Sequence, residues 1–567
     1  MTPPLVRQRQ LASLVVTLIS FCPTLAWAQG TVEISTDPFD NPGSQHMTEV
    51  EPHVYSHGST VVATFQQGRY SGGGCTDIGF ATSLDNGVSW QQGSLPGLTR
   101  FVGGDSYDSV SDTAVIYNAA FGLWLVVSLP VGGNAAIFVS RSPDGLNWDF
   151  PITAASGGGG AFYDKPWITC DNSESSPFFG NCYIEWDSVF DGGLILMITS
   201  TDGGATWSDP MTTADAATGL GGQPLVLPSG RVVVPYLGFD MRSFISDNGG
   251  ASWSQSVRIS LVTHHDIAGN LRANFNLPSA AIDGDGTVYL AWGDCRFRPP
   301  CRGNDIVIST SSDGLDWSSA LRVPTEDVSG PGDYFIPGLG ADRNTFAPNV
   351  SLALVYYYYP QANCSEATCQ LIGGFITSSD GGQTWSGPID LTSPMAIDWL
   401  PDTISGRMVG DYLGADFTDD GVPHPIFATA FAPMGQFLES MFTTSVDSAA
   451  RRAEEAWVKG CAGSGCRRTE VAAAEDAARA EETPEPSSLQ IVAPSYRVNI
   501  GTLMQLRANG SSNQDAPISW SVEEGSAGGT VSESGLYRAP INPGVYHIVA
   551  SDGVERARIE VRVFTVR

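Results

Sequence analysis

Through residues 31–446 the chain reads as short β-rich apolar runs separated by polar breaks rich in Gly, Asp and Ser. Runs of this length, bounded by turn residues, predict strands rather than helices. They recur in one order: strand, strand, strand, a sharp polar turn, strand. The first repeat offers 53–55, 60–66 and 77–82; the second 112–117, 123–129 and 136–140; the third 165–169, 182–186 and 194–199. The fourth offers 223–227, 231–236 and 243–246, the fifth 279–282, 288–292 and 306–309, and the sixth a longer opening before 352–359 and 371–377. The pattern predicts a chain of small antiparallel sheets.

The polar turn has its own residue pattern. Its cleanest copy is Ser378-Ser379-Asp380-Gly381-Gly382-Gln383-Thr384-Trp385, and Ser200 to Trp207 is a second full copy. Ser83 to Trp90 repeats it, Ser246 to Trp253 carries Asn248 in the Asp place, and Asp144 to Trp148 and Asp313 to Trp317 are one residue shorter. Six copies in one register mark a repeat architecture. Asp and Ser side chains accept nearby backbone N–H groups and hold a tight turn. Gly supplies the positive φ the turn needs. The Trp then buries a large ring while its N–H stays near polar turn atoms.

Such turns are Asp-boxes, and residues 31–446 resemble the Asp-box (BNR repeat) sialidase-like β-propellers. The resemblance implies sheets arranged radially around an axis. After the sixth box come Gly410-Asp411-Tyr412-Leu413-Gly414-Ala415-Asp416, then 425–431 and 438–444, three strands of a further sheet with no box. The lone run 31–35 would complete that sheet and protect its edge. Seven blades are therefore expected, with the six typical of sialidases as the alternative.

Composition narrows the class. Of 567 residues, 64 are Gly and only 16% are charged, which suits a turn-rich all-β chain. Asp and Glu outnumber Lys and Arg by 60 to 29, a net charge of -31, which argues against nucleic acid and anionic membranes as partners. Residues 1–28 read as a signal peptide: Arg7 and Arg9, an apolar run over 11–21, and Ala26-Trp27-Ala28 before Gln29. No other apolar segment is long enough to span a bilayer, so a secreted or periplasmic protein is expected. Cysteine usage agrees: Cys170 and Cys182, Cys295 and Cys301, Cys364 and Cys369, and Cys461 and Cys466 form close pairs suited to local disulfides, with Cys75 left over.

Past the repeats, 447–488 reads as a linker, first Ala-, Glu- and Arg-rich and helix-favouring, then Thr483-Pro484-Glu485-Pro486-Ser487-Ser488. Residues 489–567 alternate again, clearly in 518–522 and 556–563. The stretches 535–540 and 544–550 resemble late strands of bacterial Ig-like domains, which implies a small β-sandwich. That module is expected as a spacer, or alternatively as a carbohydrate- or wall-binding unit.

In a propeller the boxes join third and fourth strands on one face. Residues just before a first strand or just after a second strand then ring the opposite face, the mouth. They include Glu51, His53, Arg69, Asp112, Asp164, Lys165, Asp187, Asp240, Asp294, Arg296, Asp411 and Tyr412. Asp112 and Asp164 are expected as acids and Tyr412 as nucleophile or base, with Asp411 beside it expected to turn away. Arg69 and Arg296 are expected as substrate clamps, with Lys165, Glu51 and His53 also binding substrate. A carboxyl near other acids and partly desolvated holds its proton and donates it to a leaving oxygen. The plain alternative is a hydrated ring that ties the sheets together.

Asp283-Gly284-Asp285-Gly286 and Thr418-Asp419-Asp420-Gly421 look like calcium loops, yet they fall on the wrong face and read as ordinary turns. Adjacent His264 and His265 point apart in a strand, which makes a metal site there unfavourable. No metal and no cofactor is expected.

Where sialidases carry an arginine in a short Arg-Ile-Pro stretch, this chain has Val50-Glu51-Pro52-His53, with the Pro kept and no Arg. Residues 60–69 are similar to the sialidase second strand, and Tyr412 in Gly410-Asp411-Tyr412-Leu413-Gly414 resembles the place of the nucleophilic Tyr. A carboxylate ligand wants a bidentate guanidinium, so the missing Arg argues against strict sialic-acid specificity. Arg272, Arg296 and Arg407 remain as candidates. The expected function is glycoside hydrolysis at the mouth of a monomeric secreted propeller acting on a glycan or glycoconjugate. The alternatives are a non-catalytic propeller binding glycan or protein and, third, a polysaccharide lyase with Tyr412, Lys165 or His53 as base.

Overall fold

The computed structural model describes residues 30–444, apart from 105 and 159, and in the C-terminal part 490–492, 497–499, 503–509, 518–532, 535–540, 542, 544–552 and 556–564. The expected signal peptide (1–28), the linker (447–488) and the Cys461–Cys466 pair lie outside the described residues. Among the described residues there is no α-helix, only strands and short 3-10 turns such as Arg100–Val102. The chain divides into two compact units, 1–451 and 452–567.

In the first unit, strands Glu49–His57, Thr60–Arg69, Cys75–Ser83 and Gln91–Ser94 pair antiparallel in serial order. The same order recurs from Ser109–Asn118 to Ile152–Ser156, from Leu225–Val226 to Val257–Ser260, from Ser279–Ile282 to Leu321–Arg322, and from Asp333–Ala341 to Ile389–Asp390. Tyr163–Cys170, Cys182–Ser188 and Leu194–Ser200 make a three-stranded group, its edge met by a bridge between Met197 and Met211. The last group is Gly414–Phe417, Pro423–Phe431 and Leu438–Thr444, completed by Thr31–Glu33 through the pairs Thr31 with Thr444 and Glu33 with Phe442. The start of the unit thus covers the edge of Leu438–Thr444 and ties the beginning of the unit to its end.

The first strand of each group touches the first strand of the next. Glu49–His57 meets Ser109–Asn118, which meets Tyr163–Cys170, then Leu225–Val226, Ser279–Ile282, Asp333–Ala341 and Gly414–Phe417, which returns to Glu49–His57. A cavity of about 290 Å³ lies on their inner side, lined among others by His53, Ile116, Trp167, Val226, Ala281, Leu339 and Ala415, one from each of these strands. The sheets are therefore arranged radially, as in a propeller, with first strands innermost. Apolar packets fill the spaces between neighbouring sheets. Ala114, Ile116, Leu125 and Val127 of one sheet pack with Ile168, Ile184 and Trp186 of the next.

The Asp-box turns form as their residues require. In Ser200 to Trp207, Ser200 Oγ donates to Asp202 Oδ1 at 2.9 Å, and Asp202 accepts the Thr206 N–H at 2.9 Å and its hydroxyl at 2.6 Å. The Trp207 indole N–H donates back to the Gly204 carbonyl at 3.2 Å. The Trp rings are less sequestered than the pattern suggests: Trp253 alone is buried, and the other five are half-buried. Cys170–Cys182, Cys295–Cys301 and Cys364–Cys369 are bonded as paired above, and Cys75 is free and buried.

The second unit is a small all-β body. Ser519–Val522, Gly544–Ser551, Arg556–Phe564 and Arg497–Asn499 form one sheet, and Leu503–Gln505, Leu536–Arg538 and Thr530–Val531 another. Leu506, Tyr537, Ile548 and Val561 are buried in its core.

Candidate functional site

Four of the seven innermost strands break their regular pairing near their start. The first strand slips between Val50 and His53, the second between Ser111 and Thr113, the third between Asp164 and Trp167, and the sixth between Phe335 and Gly338. The residue at each slip has a left-handed backbone: Glu51 (φ 56), Asp112 (φ 33), Lys165 (φ 49) and Ile336 (φ 49). Ahead of the remaining inner strands stand Gly221 (φ 67), Asn276 (φ 52) and Gly410 (φ 126). A bulge of this kind adds an unpaired residue and re-aims its side chain. For non-glycine residues it costs on the order of 1–3 kcal/mol each, a strain that clusters at functional sites.

The bulges bring three charged side chains together. Lys165 Nζ lies 2.8 Å from Asp112 Oδ1, 2.9 Å from Asp411 Oδ2 and 3.5 Å from Glu51 Oε1. Arg272 Nη2 reaches the same Asp411 oxygen at 2.7 Å. The Asp411 N–H donates to Glu51 Oε1 at 3.2 Å, and the Gln66 amide donates to Glu51 Oε2. Asp164 accepts the Lys165 backbone N–H at 3.0 Å and faces Asp187 directly across the strand pair. Asp411, expected to turn away, points into the cluster.

Burial and neighbouring charge set the protonation states. Burial pushes the Glu51 carboxyl up to about 8 even though Lys165 opposes it. Burial likewise lifts Asp164 to about 6 and Asp187 to about 8, the latter helped by the charge of Asp164. Glu185, two residues before Asp187, is fully buried and is raised by burial and by Asp187, against the opposing Gly222 backbone N–H. Burial works the same way on Asp411, but Lys165 and Arg272 outweigh it and hold that carboxylate below its usual range. Burial also disfavours the Lys165 cation, yet Asp112, Asp411, Glu51 and Asp164 together keep it charged. The site therefore pairs fixed cations with carboxyls that retain protons near neutrality, the condition for general acid work.

The other expected residues stand around this centre in different roles. The Tyr412 hydroxyl receives the Thr113 N–H at 3.0 Å, its ring packs edge-on to Trp167, and burial raises its phenol well above the usual value. His53 accepts the Val115 N–H at Nδ1, 3.0 Å away, and burial lowers it to about 3, so it is neutral. Arg69 is buried behind the centre and donates to Gln66 Oε1 at 2.9 Å. Arg296 is not brought into the cluster: its guanidinium is taken by Asp294 and the Leu261 carbonyl. Arg272 stands where that clamp was expected. The nearest thing to a metal-ligand set among the described residues is Glu523, Glu524 and His547 of the second unit, where Arg558 already pairs with Glu523 at 3.0 Å.

No protein-family model matches the chain, and no curated protein does. Among solved structures it is similar to the NanB sialidase from Streptococcus pneumoniae, at 14% identity over 72% of this chain and 70% of that one, with a TM-score of 0.36. It is also similar to an ulvan lyase, a polysaccharide lyase, at 11% identity over 73% and 96% with a TM-score of 0.41. A third is the α-L-arabinofuranosidase Arb93A from Fusarium graminearum, at 14% identity over 61% and 97% with a TM-score of 0.39.

Proposed function

We propose that the chain is an exported, sialidase-like propeller of seven blades that hydrolyses a glycosidic bond at its mouth, followed in sequence by an Ig-like module as a spacer. The ring of touching first strands and the closing pair between Thr31–Glu33 and Leu438–Thr444 support seven blades. Three disulfides suit an oxidising compartment, and no helix among the described residues is long and apolar enough to cross a membrane.

One observation carries the catalytic reading. Asp164 and Asp187 face each other beside Lys165 with both carboxyls raised, and Asp164 keeps part of its surface exposed. Asp164 then donates a proton to the leaving oxygen, and Arg272 and Lys165 hold substrate oxygens and the cluster's charge balance. Tyr412 and Asp112 position the bulged backbone and Lys165. Among the described residues Arg272 is the only arginine ion-paired to the Lys165 cluster, which fits a sugar other than a strictly required sialic acid.

A second reading, glycan binding without turnover, has its own support. Phe162, Phe190, Phe239 and Phe275 are exposed at inner-strand starts and second-to-third strand turns on the mouth side, where aromatic faces stack on sugars. Assay of the secreted protein on a panel of fluorogenic glycosides separates the two. Asp164→Asn and Asp187→Asn are each expected to fold normally and to lose on the order of a hundredfold in turnover. Wild-type turnover in both variants rejects the acid assignment. Binding to a glycan array with no product from any glycoside favours the lectin-like reading.

A further inference from the structure

The mouth side carries a second group of polar side chains that makes no contact with the Lys165 cluster among the described residues. His265 lies in the connection between strands Val257–Ser260 and Ser279–Ile282. Asp333 is the first residue of the inner strand Asp333–Ala341, and Asn304 directly precedes strand Asp305–Ser311, so both sit where inner strands begin and second-to-third strand turns lie.

Asp333 is fully buried, and its Oδ2 accepts the His265 ring at Nδ1, 2.8 Å away. Its Oδ1 accepts both the Asn304 backbone N–H at 2.7 Å and the Asn304 side-chain amide at 2.9 Å. The same Asn304 amide donates to the His265 carbonyl at 2.8 Å and accepts the His265 N–H at 2.8 Å. One asparagine therefore fixes the histidine backbone, and one buried carboxylate fixes its ring. A carboxylate at Nδ1 demands a proton there, which leaves the lone pair of a neutral imidazole on Nε2. That side of the ring reaches solvent: the side chain is 15% exposed, and Nε2 has no partner among the described residues. His53 has the opposite arrangement, its Nδ1 accepting a backbone N–H, so its Nε2 carries the hydrogen.

We propose that His265 is a general base of the mouth, oriented by Asp333 and Asn304, that takes a proton at Nε2 from a water molecule or a sugar hydroxyl. The O–H bond breaks with its electron pair left on oxygen, the proton bonds to Nε2, and Asp333 neutralises the imidazolium until the proton returns to solvent. No hydroxyl or thiol of the described residues contacts Nε2, so the proton comes from a ligand or from water and not from a nucleophilic side chain of the chain itself. The inference stands on its own geometry and not on the assignment of Asp164.

Its test needs no substrate. Diethyl pyrocarbonate acylates an unprotonated, accessible imidazole nitrogen, and mass spectrometry reads the product residue by residue on the intact chain. His265 is expected to react about tenfold or more faster than His53, which presents an N–H. In Asp333→Asn the Asn304 donors still hold the position of Oδ1, so the carboxamide oxygen takes that place and its NH2 faces Nδ1. The ring must then switch tautomer, and the His265 rate should fall by about tenfold or more. Nitrogen-15 NMR of the wild-type imidazole gives a second measurement that does not depend on the variant folding: the neutral ring should carry its proton on Nδ1 and leave Nε2 bare. An Nε2-protonated neutral ring in the wild type, or equal reactivity of His265 with and without Asp333, overturns the proposal.

Discussion

Carboxylates at the two faces of the propeller live under opposite rules. In the Asp-box turns Asp85 is exposed and Asp144, Asp202 and Asp313 are half-buried. The slight burial they have pushes them up, but each accepts backbone N–H and side-chain donors within its own turn, and these hold all four below the usual range, Asp144 at about 2. Near the axis Glu49, Glu51, Asp164 and Asp187 are driven up by burial, to about 8, 8, 6 and 8. The residue types are nearly the same, and the number of donors set against the water lost decides the sign. The turn carboxylates thus favour the folded state as anions, whereas most of the axial ones favour it as acids.

The largest expected effect comes from removing the cation that faces the axial acids. Lys165→Met keeps the length of the side chain and leaves Asp112, Asp411 and Glu51 without it. Stripping one partner from a buried charge cluster costs about 3–5 kcal/mol. Denaturant unfolding near neutral pH should show that loss, and it should shrink toward pH 5 as the orphaned acids take up protons. A loss that is the same at both pH values would mean that Lys165 acts by packing alone.

Within the boxes the greater share of the stability is expected in the ring. Trp253 is buried against Tyr183 and Phe244, whereas Trp385 is half-buried. Trp253→Ala should cost about 3–4 kcal/mol, and Trp385→Ala clearly less. Equal losses would show that the indole–Gly hydrogen bond, common to Trp207 and Trp385, counts for more than burial.

The contrast also fixes the pH profile of stability. Raised acids bind protons in the folded state that the unfolded chain has already lost. Their contribution is full below about pH 4 and falls as pH rises through about 6 for Asp164 and about 8 for Glu49, Glu51 and Asp187. The depressed box acids contribute above about pH 4 and lose that contribution as pH falls toward about 2. Stability should therefore be highest near pH 4 to 5 and fall steadily from there toward about pH 8. Glu49→Gln, at a carboxyl that already accepts the Ser35 hydroxyl and the Gln67 amide, should flatten the alkaline limb. A maximum above pH 8 would contradict the whole scheme.

How much of this was legible from the residues depends on distance along the chain. The boxes are local: their hydrogen bonds span two to four residues, so Ser, Asp, Gly and Trp at fixed offsets reveal them outright. The closing strand 31–35 and three disulfides were equally readable. The axial site is assembled across Glu51, Asp112, Lys165 and Asp411, joined only when the ring closes. The positions before first strands pointed to residues that the ring brings together, but not to the bulges that aim them. Arg296 sits two residues from the Asp294 that captures it, a local contact, whereas Arg272 meets Asp411 across 139 residues and nothing nearby in the sequence signals it. The His265–Asp333 pair was missed for the same reason, since 68 residues separate its members.

The smallest effect tests the turn carboxylate itself, and the chain already contains the control. In the fourth box Asn248 accepts the Ser252 N–H at 3.0 Å and donates to the Ser252 hydroxyl at 2.8 Å, with Ser246 Oγ 2.9 Å from its carbonyl oxygen. An amide therefore fills the Asp place by reversing one hydrogen bond, because the hydroxyl can accept as well as donate. Asp202→Asn should follow suit, with Thr206 accepting where it now donates, and stay within about 0.5 kcal/mol of wild type near neutral pH. Asp202→Ala removes the acceptor and should cost about 1 kcal/mol, as loss of a comparable N-cap does. The two variants separate in acid: Asp202→Asn has no proton to take up and should lose less stability than wild type as pH falls below about 4. If Asp202→Asn costs as much as Asp202→Ala, the charge and not the turn's hydrogen bonds holds the box, and the contrast between the two faces is one of charge alone.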